Sequence, residues 1–226
     1  MCGRYLLYTS TDTLARAFGL DPADRPNLEP RYNIAPTQDV TIVRAEAGRH
    51  RLDRARWGLV PSWAKDVGIG AKLINARSET VAEKPAFRRA FAARRCLVPA
   101  DGFYEWTTEG KAKQPWLIAP VVEGPIAFAG LFEDWRAPEG ETVRSCTILT
   151  TDANADIAHL HHRMPVILAA DAYDRWLTAP AAAISALLVP APSGSLTARR
   201  VDPRVNAVRN DDAGLIAPGP TQASLL

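Results

Sequence analysis

Cysteine is scarce in this 226-residue chain: three copies, at positions 2, 96 and 146, with no CxxC pair among them. An odd and widely spaced set argues against a disulfide framework and against a cysteine-based zinc site. Histidine is rare too, at four copies, and no HExxH is present, so no metal and no cofactor are expected. Polar or charged residues interrupt every hydrophobic run, and the N-terminus carries no apolar stretch of signal-peptide kind. The expectation is a cytoplasmic protein with no membrane span. No internal repeat and no composition break divides the chain, so one domain over residues 1–226 is expected, with a flexible tail from about 214.

What is present is ordinary in amount and uneven in placement. Hydrophobic residues make up 47% and charged residues 23%, as in a soluble globular domain with a sizeable core. The net charge of +2 hides an asymmetry: residues 1–100 hold 17 Lys and Arg against 10 Asp and Glu, and the rest hold 10 against 15. Such a distribution suits a polyanion bound by the N-terminal segments, although a solvated basic surface explains it equally well.

Short strands alternate with loops along the chain. RYLLYT (4–9) reads as a strand almost at the terminus, and STDTLARAFGL (10–20) as a helix with Ser10 or Thr11 as N-cap and Gly19 as stop. DPADRPNLEPRYNIAPTQ (21–38) carries four prolines and reads as an extended loop, followed by a hairpin around EAGR (46–49). Residues 58–80 read as another loop, and KPAFRRAFAARR (84–95) as a helix. CLVPA, GFYEWTT, QPWLIAP, PIAFAGLFE, RSCTILTT and MPVIL read as strands; NADIAHL, DAYDRWL and AAAISALL read as short helices. Many short strands without a βαβ rhythm predict an α+β fold with a mainly antiparallel sheet.

The opening MCGRY raises a chemical question. Cysteine is small enough to follow a removable methionine, and loss of Met1 would leave an α-amine and a thiol on adjacent carbons. Their reference pKa values, near 7.7–8.0 and 8.5, supply some of each nucleophile at neutral pH. Two chemistries are open. The thiolate can attack a carbonyl with the amine as its base. Alternatively, the amine condenses with an aldehyde and the thiol closes on the imine carbon, forming a thiazolidine.

Further motifs narrow the choice: RYNIAPT (31–37), WGLVPSW (57–63), LINARSET (73–80), PADGFYEW (99–106), HLHHRMPVIL (159–168) and VNAVRND (205–211). Together with MCGRY, and in this order, they resemble the SRAP family of abasic-site processing proteins, the SOS response-associated peptidases. The resemblance implies an SRAP-like fold, with a barrel-like mixed sheet of short strands and surrounding helices. It implies a protein of DNA damage repair whose mature Cys2 crosslinks the ring-opened abasic sugar in single-stranded DNA and shields the lesion. It also implies catalytic roles for Cys2, Asn75, Glu105 and His161. Glu105 would work as general acid and base, His161 would transfer protons near neutrality, and Asn75 would hold sugar and cysteine in register.

DNA contacts are then expected from Arg4, Arg77 and Arg163 as phosphate ligands, from Asn33 and Thr150, and from Trp63 and Trp57 as stacking surfaces. Ile34 and Pro36 would form an apolar wedge beside the lesion. The expected partner is abasic single-stranded DNA on the nucleoid, bound by a monomer. Between Trp63 and Leu73, the segment AKDVGIGAK matches nothing in the family pattern.

Three rival readings remain. Glutaminase-type amidotransferases also begin MCG, but their downstream arginine and Asn-Gly-Asp-like elements are not found here. A non-catalytic single-strand-binding module could use the same basic surface. A peptidase activity would extend at least to self-removal of Met1, a hydrolysis beside the lyase-like capture of DNA.

Overall fold

The structure, a computed structural model, describes residues 2–21 and 28–217. Its strands and helices begin with β1 (Tyr5–Leu7), α1 (Thr11–Phe18), β2 (Arg31–Ile34), β3 (Asp39–Glu46), β4 (Arg49–Trp57) and β5 (Asn75–Arg77). Next come α2 (Arg88–Ala93), β6 (Arg95–Ala100), β7 (Gly102–Glu109), β8 (Ala112–Pro120), β9 (Ile126–Arg136) and β10 (Thr142–Asp152). The chain closes with β11 (Arg163–Pro165), β12 (Ile167–Leu168), α3 (Tyr173–Thr178) and β13 (Leu196–Arg200).

Local chemistry explains several of these bounds. The Ser10 side chain accepts from the Thr13 N–H at the start of α1, and Gly19 ends the helix at φ 59°, in the left-handed region that glycine tolerates. Leu14 and Phe18, one turn apart, carry its buried face. β3 and β4 are joined through Ala47 and Gly48, at φ 49° and 76°. Two consecutive positive φ values describe a type I′ turn, whose twist matches that of the strands it joins.

β10, β4, β3, β6 and β9 follow one another by hydrogen bonding, and β9 returns to β10, closing a five-stranded barrel. All of its pairings are antiparallel except β4 with β10, where Arg56 and Trp57 face Ser145 and Cys146 in parallel. β5 extends the parallel edge, pairing Asn75 with Ile148 and Arg77 with Thr150. A second, antiparallel sheet has the order β13-β8-β7-β1-β2. Tyr5 joins the two sheets: its ring lies 5.3 Å from Trp57 and 6.0 Å from Phe128, edge-on to both. On its other face the second sheet carries Leu6, Tyr104 and Leu117, covered by Val201, Val205 and Leu215 of the C-terminal turns. The expected α+β, mainly antiparallel, barrel-like architecture is the observed one.

Several local expectations are corrected. RYNI, expected in the proline-rich loop, is strand β2 because β1 provides it with a partner; residues 22–27 of that loop lie outside the described residues. LTARR forms β13 on the edge of β8, a pairing its single buried apolar residue did not announce. NADIAHL is a run of turns, since Ala153 N–H donates to His162 O and the segment must return to the sheet at once. AAAISALL forms two 3-10 turns around the one buried side chain there, Ile184. Residues 213–216 also form a 3-10 turn, with Leu215 buried, so the tail expected from about 214 begins in packed structure. Its remainder, from 218, lies outside the described residues. No described helix is long and apolar enough to cross a membrane.

AKDVGIGAK folds into a 3-10 turn, Val67–Lys72, whose first turn is capped by Asp66 on Gly68 N–H at 2.6 Å. Gly58 takes φ 131°, and a Cβ there would lie 2.5 Å from the Gly70 carbonyl oxygen. This crossing of two backbones seats the loop that carries Trp63. Gly58→Ala should therefore cost roughly 2–4 kcal/mol, combining backbone strain with a steric clash. Chemical denaturation measures it; a loss under about 0.5 kcal/mol, the range of a neutral surface change, would show that the crossing tolerates a side chain.

Candidate functional site

Cys2 precedes β1, the strand between β2 and β7, and its side chain is fully buried. The β1–β7 register sets Tyr5 opposite Phe103, and Tyr104 N–H donates to Arg4 O at 2.9 Å. Glu105 is the next residue of β7, near enough for its charge to act on the Cys2 thiol. From the other side, the Asn75 side-chain amide donates to Cys2 O at 2.8 Å. Asn75 is held in place by the pairing of β5 with β10. Its Oδ1 is buried and, among the described residues, accepts no hydrogen bond.

Burial perturbs all three titrating groups around this point. The Cys2 thiol is pushed well above its usual range, first by burial and then by the charge of Glu105. Glu105, 5% exposed, is pushed up to about 7 by burial. His161 is lowered below its ordinary value, again chiefly by burial. The charge of the amino terminus acts on both, limiting the rise of Glu105 and adding to the fall of His161. At neutral pH burial thus favours a proton on the carboxyl and a neutral imidazole.

The His161 tautomer follows from its hydrogen bonds. Arg163 N–H lies 2.9 Å from Nδ1, and the Arg163 carbonyl lies at 3.1 Å. Acceptance of the shorter contact by Nδ1 leaves the proton on Nε2. The His162 ring stacks on the His161 ring at 4.4 Å. Among the described residues, no group of three or more His, Cys, Asp or Glu is arranged to hold a metal ion.

The residues expected to touch DNA divide into two groups. Trp63 is 55% exposed, Arg77 is exposed at the end of β5, and Pro36 is half-buried in the loop after β2. Arg4 is half-buried; its guanidinium donates to Asn33 Oδ1 (2.7 Å) and Val205 O (2.9 Å) and lies 5.5 Å from the Trp106 ring centre. The others are interior. Ile34, expected in the wedge, is 3% exposed, so Pro36 is the more accessible of the two expected wedge residues. Trp57 cannot stack on a base: it is fully buried, and its indole N–H donates to Ile74 O. Asn33 is buried, donating to the carbonyls of Val205, Ala207 and Asn210, and Thr150 is buried in β10. Arg163 is buried, with its guanidinium on Glu79, Asp152 and Thr150 O.

Two structural partners went unread in the sequence. Asp211 accepts from the N–H groups of Tyr32 (2.5 Å) and Asn33 (2.9 Å) and from the Arg31 guanidinium, so VNAVRND clamps the loop that presents Pro36. Glu79, within LINARSET, is the bidentate partner of Arg163. In both motifs an acidic residue beside the functional types was the only signal.

Both the sequence and the fold have known relatives. The model of the SRAP family, SOS response associated peptidase, matches residues 1–208. The abasic site processing protein YoaM of Bacillus subtilis is 41% identical over 222 residues, covering 96% of this chain and 97% of that protein. The abasic site processing protein HMCES of Gallus gallus is 33% identical, covering 84% of this chain and 66% of its own length. A crystal structure of a protein from Bordetella bronchiseptica superimposes with a TM-score of 0.78 at 29% identity, covering 89% of this chain and all of that one.

Burial of Glu105 should be visible in the pH dependence of stability. A carboxyl raised from 4.5 to about 7 favours folding in its neutral form. Its cost is absent below pH 4.5, grows as the unfolded chain ionises, and is complete above pH 7. Glu105→Gln, which cannot ionise, should match wild type at pH 4.5 and exceed it by on the order of 3 kcal/mol at pH 8. Urea unfolding at both pH values checks this; a difference independent of pH would place Glu105 in contact with water.

Proposed function

The chain belongs to the SRAP family, and from that membership we propose that it processes abasic sites in single-stranded DNA by covalent capture at Cys2. Removal of Met1, a hydrolysis of the Met1–Cys2 peptide bond, exposes the α-amine. The amine adds to the aldehyde carbon of the ring-opened sugar and expels water, leaving an imine. The thiol sulfur then adds to that carbon while its proton passes to the nitrogen. The five-membered ring of N, Cα, Cβ, S and the former aldehyde carbon is a thiazolidine.

The observation that carries this reading is the Asn75–Cys2 hydrogen bond, which fixes residue 2 beside a buried carboxyl. Glu105, near pKa 7, can give a proton to the departing hydroxyl and take one back with equal ease. His161, neutral and with its proton on Nε2, would present a hydrogen-bond donor to the reacting oxygen of the sugar. The vacant Oδ1 of Asn75 is an acceptor for the amine or for a sugar hydroxyl. Burial of the thiol, which disfavours the thiolate, supports attack by the amine first and opposes the thiolate-first chemistry of an amidotransferase.

Arg77 and Arg4 would hold phosphates on either side of the lesion, and Pro36 would press against the neighbouring base. Trp63 would stack on an unpaired base, a contact of about 1–3 kcal/mol. The protein would act as a monomer on the nucleoid, with peptidase chemistry restricted to its own first residue.

Intact mass spectrometry with an abasic oligonucleotide tests the chemistry. Wild type should lose Met1 and gain the oligonucleotide mass less one water, in a form that survives denaturant. Cys2→Ser should keep the imine, trapped only on borohydride reduction, and yield no stable adduct. Glu105→Gln and His161→Ala should slow adduct formation roughly 100-fold each while leaving non-covalent affinity near wild type. A Cys2→Ala protein that forms the denaturant-resistant adduct as well as wild type would rule the reading out.

A further inference from the structure

β5 and the turn after it touch both ends of the proposed machinery. At its first residue, Asn75 holds the carbonyl of Cys2. Four residues later, Glu79 takes the guanidinium of Arg163 as a two-pronged ion pair, Nη1 to Oε1 at 2.6 Å and Nη2 to Oε2 at 2.9 Å. Asp152 accepts from Nη1 at 2.8 Å and Thr150 O from Nη2 at 2.6 Å. The Arg163 side chain is 7% exposed, whereas Glu79 is half-exposed and Asp152 is 81% exposed. The same Arg163 supplies, through its main-chain N–H, the hydrogen bond that His161 Nδ1 accepts.

We propose that Glu79 is a positioning residue: by clamping Arg163 it holds the main-chain N–H that keeps His161 with Nδ1 as acceptor and the proton on Nε2. The geometry favours Glu79 over Asp152 for this task. A fork-to-fork pair fixes the guanidinium in both rotation and distance, while a single contact from a largely exposed aspartate is weak. The hydrogen bond from Arg163 also draws the Glu79 carboxyl below its usual range, so the pair is ionised at neutral pH. The clamp spans 84 residues of sequence and couples the strand that fixes Cys2 to the turn that carries His161. Without it, Arg163 retains its strand pairing to Asp152, but its guanidinium is left with Asp152 and Thr150 O as partners and loses the two-pronged contact. The His161 ring would then be free to exchange its proton between the two nitrogens.

The tautomer can be read without DNA, by long-range ¹H–¹⁵N correlation on histidine-labelled protein, with the His161 signals assigned by their absence in His161→Ala. Wild type should show one neutral tautomer protonated at Nε2. Glu79→Gln, which keeps the size and removes the charge and one acceptor, should show a mixture of both. Glu79→Asp, which restores the charge at a shorter reach, should fall between them. The kinetic consequence rests on the covalent-capture reading: adduct formation by Glu79→Gln at saturating abasic DNA should slow about 10- to 100-fold with Kd unchanged. An unchanged tautomer in Glu79→Gln overturns the proposal, whatever happens to the rate. If wild type forms no adduct, the covalent-capture reading fails while the tautomer comparison still judges the clamp.

Discussion

A chain terminus is usually the loosest part of a fold, and here it is built into the middle of a sheet. β1 is three residues long and lies between β2 and β7, so its ends have no slack. Each neighbour fixes one side, the Tyr5 ring locks the strand to the barrel, and the Asn75 amide stops Cys2 from fraying. Everything proposed for the site depends on that immobilisation. An aminothiol on a mobile tail would meet aldehydes at random; one fixed to within a hydrogen bond meets only what the surrounding surface admits.

The same burial that immobilises the terminus tunes its neighbours. Removing water disfavours whichever form of a group is charged, so it raises a carboxyl and lowers an imidazole. Burial raises Glu105 from 4.5 to about 7 and lowers His161 from its ordinary 6.5. One environment thereby sets a carboxyl that exchanges its proton near neutrality close to an imidazole kept neutral. A buried carboxyl that ionises is a liability for folding, and the proposed role of Glu105 in proton exchange would account for its place near Cys2.

The sequence showed the proposed centre more clearly than its surroundings. Cys2 at the terminus, Asn75 in INAR and Glu105 in GFYEW are short-range signals, and the structure brings these three together. The antiparallel, barrel-like α+β class was legible from the many short alternating runs. What escaped was set by distant partners. Asn33 and Arg163 look like free polar groups until Asn210 and Glu79 are placed beside them. Ile34 and Trp57 look available until the strands that bury them are paired. β2 and β13 have little pattern of their own and exist because β1 and β8 offer edges.

The clamp formed by residues 205–211 has a consequence in time as well as in space. Arg4 and Asn33 are pinned by carbonyls of Val205, Ala207 and Asn210, 172 to 201 residues away in sequence. A polypeptide emerging from the ribosome amino end first cannot complete this contact until residues 205–210 have left the exit tunnel. The strand edge that holds Arg4 and the loop that presents Pro36 are therefore among the last parts of the domain to settle, although they are among the first to be made.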